Sequence, residues 1–459
     1  MSQGAPPEGS AAATLSPLAA RIDARVSGGR PIGLRFWDGS ELPAPSPPPG
    51  GAPVIVVKSP RAIARVIHER SELGFGRAWV AGELDVEGDL GETLALTQRF
   101  RGVGIERREL AMALRATRRL GALSLREPKP PAAEVRLHGR LHSLRRDRDA
   151  IQHHYDVSND FYRLVLGPTM VYSCAYFADG EESLDAAQER KLDVVCRKLH
   201  LQPGERLLDV GCGWGSLVLH AAEHYGVRAV GVTISPAQAE LARERVREAG
   251  LADRVEIRLA DYRDTADGPY DKIASVGMVE HVGTGNLPAY FAHLRSLLRP
   301  GGVLLNHGIV RPTQQPRNDR TFGARFVFPD GELAALSTVL REMEEAGLEP
   351  RDVESLREHY ALTLRRWHAN QEAHREQAVA EAGEQRERVW RLHNIGAALS
   401  FERGDLSVHQ VVAAAPGAEH RLPLTRGGQA PQSRSARAGA APTPRAARPR
   451  PARAPRRSG

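Results

Sequence analysis

One stretch constrains this 459-residue chain more than any other: the strand-like run Arg206 to Val210 ends in Asp209-Val210-Gly211-Cys212-Gly213-Trp214-Gly215, and helical spacing follows. Glycines at the end of a strand tolerate left-handed backbone and let that backbone approach a ligand closely. A G-x-G-x-G by itself is weak evidence, and a tight turn without a ligand is its competing reading. The surroundings strengthen it. Predicted helices at 183–199, 216–225, 236–249 and 287–298 alternate with predicted strands at 206–210, 228–233, 255–259, 270–276 and 302–307. Alternation of this kind predicts an α/β fold with a doubly wound, parallel sheet. The dinucleotide fingerprint G-x-G-x-x-G is absent from the turn.

The rest of the chain divides by composition. Residues 1–20 are rich in Ala, Pro, Gly and Ser and read as disordered; 21–98 read as a small α/β domain. Residues 99–148 form a basic helical linker, 149–418 the catalytic domain, and 419–459 an Arg/Pro-rich tail without core-forming residues. From Arg421 to Gly459 there are ten arginines and no acid, so removing them takes the net charge from +7 to −3. The linker adds a second basic stretch, 13 basic against six acidic residues over 101–149. Such segments attract anionic lipid headgroups or nucleic acid. The tail carries no aromatic residues to stack on bases, so no nucleic-acid partner is expected. The helical spacing of 105–125 fits either a connector packed on the body or a helix lying on a membrane surface.

Three cysteines, Cys174, Cys196 and Cys212, show neither a disulfide framework nor zinc spacing. Adjacent histidines His153 and His154 point apart on a helix, so no metal site is expected. No apolar run reaches the ~18 residues of a membrane span, and no signal-peptide pattern stands at the N-terminus. The expectation is a cytoplasmic protein whose membrane contact is peripheral.

Around the glycine turn the second strand ends in Gly231-Val232-Thr233-Ile234-Ser235-Pro236-Ala237-Gln238. An acid often stands there to bond ribose hydroxyls. Here Thr233 and Gln238 are the polar groups available. Asp261-Tyr262-Arg263 follows the third strand, where Asp261 could accept from an amino group and Tyr262 could stack or simply pack.

Five stretches in order then carry a resemblance: His154-Tyr155-Asp156-Val157-Ser158, Tyr172-Ser173-Cys174-Ala175-Tyr176-Phe177, the glycine turn, Gly231 to Ser235, and Ser275-Val276-Gly277-Met278-Val279-Glu280-His281-Val282-Gly283. Over roughly 149–415 the chain resembles cyclopropane fatty acid synthases, including the mycolic acid cyclopropane synthases. The resemblance implies a class I S-adenosylmethionine-dependent methyltransferase (Rossmann-like) sheet with helical insertions and a small N-terminal lipid-carrier-like domain. It implies S-adenosyl-L-methionine as donor, a cis double bond of a phospholipid acyl chain as acceptor, and bound bicarbonate as the base that deprotonates the carbocation. Chemistry of that kind needs a dry apolar channel, a fixed base and no stray nucleophile.

Carried over position by position, the resemblance assigns Glu280 and His307 to bicarbonate, with Cys174 and Ile309 beside them and Tyr360 from Tyr360-x-x-Thr363-Leu364-x-x-Trp367. Tyr172, Ser173, Asp209, Gly211, Cys212, Gly213, Gly215, Thr233, Gln238, Asp261, Tyr262 and Arg263 are its donor-binding positions. A capping carboxylate is the plain alternative for Glu280, and a satisfied strand-end histidine for His307. Cys174 lacks a His–acid partner and is not read as a nucleophile. Asn306 and Gly308 depart from the family pattern and are expected at the border of the pocket. The same residues serve a related reaction, which leaves a 10-methylene chain that a partner reductase converts to 10-methyl. The partners implied are phospholipid acyl chains, anionic headgroups through the basic segments, and a second copy of the chain as a homodimer. A small-molecule S-adenosylmethionine methyltransferase is the further alternative.

Overall fold

The computed structural model describes residues 6–425 except 101, 105, 122–126, 136, 138, 140, 142, 144–145 and 147–157. His153, the His154–Val157 stretch and the tail beyond 425 therefore lie outside the described residues.

The N-terminal module is a four-stranded sheet, β1 (Gly33–Phe36), β2 (Glu41–Leu42), β3 (Val54–Val57) and β4 (Leu84–Glu87), in the order β2-β1-β3-β4. A helix, Ala11–Asp23, occupies the second half of the stretch expected to be disordered. Its local cause is a cap: the Ser10 hydroxyl accepts from the Ala13 amide. Its tertiary cause is burial of Ala11, Ala12, Leu15 and Ala19 against Phe36 and Leu42, a packing partner that composition does not reveal. The basic helix Arg107–Arg119 packs on this module, where Glu109 is buried and its carboxylate accepts twice from the Arg25 guanidinium, at 2.8 and 2.7 Å.

The larger unit is a seven-stranded sheet in the order β10-β11-β9-β8-β5-β6-β7. Its strands are β5 (Arg206–Val210), β6 (Arg228–Thr233), β7 (Val255–Leu259), β8 (Tyr270–Val276), β9 (Leu298–Val310), β10 (Glu349–Ser355) and β11 (Ser407–Ala414). β5 to β9 run parallel, and β11 pairs antiparallel with both β9 and β10. The doubly wound sheet is the one the alternation predicts. The antiparallel edge was not anticipated, because β10 and β11 are separated by three helices, Arg357–Ala373, Arg375–Ala382 and Glu384–Glu402.

Strand order reverses between β5 and β8, which opens a crevice at their carboxyl ends. The three late helices fold over that crevice and build an aromatic core: Trp367 stacks on Tyr172 with centroids 5.2 Å apart, and Trp390 meets Tyr162 at 5.6 Å. The N-terminal module closes the assembly from the other side. Trp79 donates its indole N–H to the Arg388 carbonyl at 2.9 Å, and the Arg388 guanidinium donates back to the Trp79 carbonyl at 2.6 Å. Among the described residues no helix is long and apolar enough to cross a membrane.

Candidate active site

The crevice opens into a cavity of about 990 Å³. Its floor is the glycine turn. Gly211, Gly213 and Gly215 have φ of 77°, 54° and 81°, the left-handed region that favours glycine. A Cβ on Gly211 would lie 2.3 Å from the Met278 sulfur, whereas one on Gly213 would meet nothing within 4 Å. Gly211 is therefore required by packing, and Gly213 leaves open backbone towards the cavity. Gly215 stands off the wall as the N-cap residue of helix Ser216–Tyr225.

Tyr172, Ser173, Asp209, Gly211, Cys212, Gly213, Thr233, Gln238, Asp261, Tyr262 and Arg263 all line the cavity. Thr233 and Gln238 are already tied together, Oγ1 to Oε1 at 2.9 Å. Asp261 caps the turn after β7 and holds Arg263, with Nη2 at 2.7 Å. Tyr262 packs edge-on against Tyr290 at 5.1 Å. Burial lifts the Asp209 carboxyl to about 7 against the pull of the Lys191 ammonium.

Glu280 sits on the short helix Val279–Val282 after β8 and is buried on the same wall. One carboxylate oxygen accepts from the Ile309 amide at 2.6 Å; the other has no partner among the described residues. Burial raises this carboxyl to about 7, and the amide pulls the other way. Ile309 and Tyr360 line the cavity with it; Cys174 and His307 do not. Cys174 is enclosed, and burial pushes its thiol far up, which suits an inert side chain rather than a nucleophile. His307 is buried, with Nδ1 3.1 Å from the Gln410 amide nitrogen and Nε2 unpartnered. Burial, followed by Lys191, Lys198 and His409, keeps it neutral.

Asn306 and Gly308 are not on the wall either. They alternate with His307 and Ile309 along β9 and so face the other side of the sheet. There the missing Cβ of Gly308 admits Val279, which a Cβ would meet at 2.2 Å. Gly308 thus seats the helix that carries Glu280.

Several wall residues were not anticipated. His281 and His393 flank Phe328, at 6.0 and 5.3 Å between centroids, and burial lowers both imidazoles to about 4. Phe75 and Leu94 enter from the N-terminal module, a contribution without a motif. Lys191 did leave a signal: it occupies the apolar face of helix Leu184–Lys198, in line with Ala187, Val194 and Val195.

A family model described as Mycolic acid cyclopropane synthetase matches residues 142–411. The chain belongs to this family. It is 42% identical over 406 residues to a probable fatty acid methyltransferase of Pseudomonas putida, covering 86% of this chain and 95% of the relative. It is 34% identical over 381 residues to the cyclopropane-fatty-acyl-phospholipid synthase of Escherichia coli K12, covering 82% and 92%. Among solved structures, a mycolic acid cyclopropane synthase complexed with SAH and CTAB aligns with a TM-score of 0.55 at 35% identity, covering 58% of this chain and 98% of that one. The sheet is thus the Rossmann-like sheet of class I S-adenosylmethionine-dependent methyltransferases, and the chain is a methyltransferase of the cyclopropane synthase family.

Proposed function

We propose that this enzyme transfers the methyl carbon of S-adenosylmethionine to a cis double bond in an acyl chain of a membrane phospholipid and closes a cyclopropane ring. The observation that carries the reading is Glu280, a buried carboxyl with one oxygen fixed by the Ile309 amide and the other without a partner among the described residues. Methyl transfer to an alkene leaves a cation, and ring closure requires a proton to leave the added methyl. Aromatic and aliphatic walls exclude water that would trap the cation, and the thiol of Cys174 is turned out of reach. Bicarbonate, when bound, would supply the base. The unpartnered oxygen of Glu280 fits such a group, with Ile309 and Tyr360 on the same wall; His307, also carrying an unpartnered nitrogen, stands off it. The basic segments would bring the enzyme to anionic headgroups on the cytoplasmic face of the inner membrane.

The name of the Pseudomonas putida relative favours a second reading, methylation without a ring, giving a 10-methylene chain for a partner reductase. From one oleoyl chain the two products are isomers, so mass alone does not separate them. Expression in a host without cyclopropane lipids, with a labelled methyl donor and proton NMR of the extracted acyl chains, does. Ring-proton signals carrying label support cyclopropanation; a labelled exocyclic methylene overturns it in favour of the second reading.

A further inference from the structure

A lysine on the cavity wall is short of partners. Lys191 is 2% exposed in the middle of helix Leu184–Lys198. Its ammonium has three donors and makes one hydrogen bond among the described residues, to the Ser173 hydroxyl at 3.0 Å. No carboxylate of the described residues lies within ion-pair distance of it. The groups that face it are the thiols of Cys174 and Cys196, the carboxyl of Asp209 and the imidazole of His307. Gln188, one turn earlier, donates to the Ser173 carbonyl at 2.9 Å, so helix and donor-binding segment are fixed to each other. Burial lowers the lysine to about 8. A buried ammonium with a single neutral partner is costly until an anion completes it. Lys191, Ser173, Asp209 and Gly211 all line the cavity, so the completing anion enters from there.

The amino-acid part of S-adenosylmethionine carries a carboxylate and an ammonium on one carbon. We propose that Lys191 binds the carboxylate of the methyl donor while Asp209, on the same cavity wall, takes the ammonium. The proposal rests on the assignment of S-adenosylmethionine as donor. It makes the pair a zwitterion clamp that sets the direction in which the sulfonium methyl points over the glycine turn.

Calorimetric titration with S-adenosylhomocysteine and with its decarboxylated analogue, which keeps the ammonium, tests it. The unaltered enzyme is expected to prefer the carboxylate-bearing ligand by roughly 10- to 100-fold, the worth of a hydrogen bond to a charged group. Lys191→Met is expected to abolish that preference and leave the analogue's affinity unchanged, while Lys191→Arg keeps the preference. Lys191→Gln replaces the Met variant if that fails to fold. An equal loss for both ligands makes the lysine structural and overturns the proposal, as does a preference that survives in Lys191→Met. Repeating the titrations with and without bicarbonate separates the other available anion: a loss seen only with bicarbonate present overturns the assignment to the donor. If the unaltered enzyme binds neither ligand, the donor assignment itself fails.

Discussion

Glu280 shows how a single carboxyl can serve chemistry at the expense of stability. An exposed glutamate ionises near 4.3, and burial raises this one to about 7. Below the lower value both folded and unfolded chains hold the proton, and nothing is lost. Between the two values the unfolded chain ionises first, so stability falls as pH rises, by about 4 kcal/mol once both are ionised. Glu280→Gln removes that penalty and keeps an oxygen for the Ile309 amide. The variant is therefore expected to melt higher than the parent at pH 8 and about equally at pH 4, as differential scanning calorimetry can show. It is also expected to retain donor binding and lose roughly 100-fold or more in turnover, the usual worth of a positioned acid or base. Lost donor affinity in calorimetry would instead place Glu280 at the cofactor. Glu280 and Tyr360 were legible as motif members. Lys191 was legible only as a charge on an apolar face, a signal that reads equally well as a helix edge.

At the scale of elements, the helix Val279–Val282 depends on β9. It is four residues long, too short to hold itself, and it keeps its place because Val279 fills the space above Gly308. Gly308→Ala is expected to cost about 1–3 kcal/mol by overpacking and to lower activity by displacing Glu280. Adding Val279→Ala is expected to recover most of both, and a double-mutant cycle from urea unfolding with parallel assays measures the recovery. Additive losses would mean that the two positions do not share this contact. The single π-helical turn Gly323–Val327 is another local feature at the cavity, with Phe322, Gly323 and Ala324 on the wall. Neither element was legible in advance. A four-residue helix and a π turn are too short for periodicity to register, and their stability is tertiary.

For the whole molecule, the N-terminal module is a wall of the site and not an appendage. The carboxylate of Glu134, fully enclosed, accepts from Arg77 of helix Glu72–Val80 at 2.8 and 2.7 Å and from Arg325 of the π turn at 2.9 Å. Gly76 lies against Phe322, where a Cβ would meet the ring at 2.4 Å. Burial tends to raise the Glu134 carboxyl, and the two guanidiniums outweigh it and hold it below its usual range. Its stabilisation is therefore present above the ordinary glutamate value and is lost as pH falls through the lowered one. Glu134→Gln is expected to destabilise the enzyme by about 3 kcal/mol at pH 7, because removing one partner strands buried charge. The loss should shrink on acidification, and urea melts at pH 7 and pH 4 report both. Deleting 421–459 is expected to weaken flotation with anionic vesicles at low salt and to leave neutral vesicles unaffected; unchanged anionic binding would make the tail a passenger.

The sequence by itself determined the doubly wound sheet, the glycine turn and the family. Strand periodicity, left-handed glycines and short ordered motifs are local properties, and β5, β6, β7 and β8 fall where the pattern puts them. Only the tertiary structure decided which motif residues face the cavity. Alternation along β9 turns Asn306 and Gly308 away, while His307 and Cys174 stay behind the wall. Only the fold brought Phe75 and Leu94 across to the site and buried Lys191 with no carboxylate of the described residues within ion-pair distance. Those facts depend on contacts between segments far apart in the chain, and the cost of a buried charge exists only once burial has occurred.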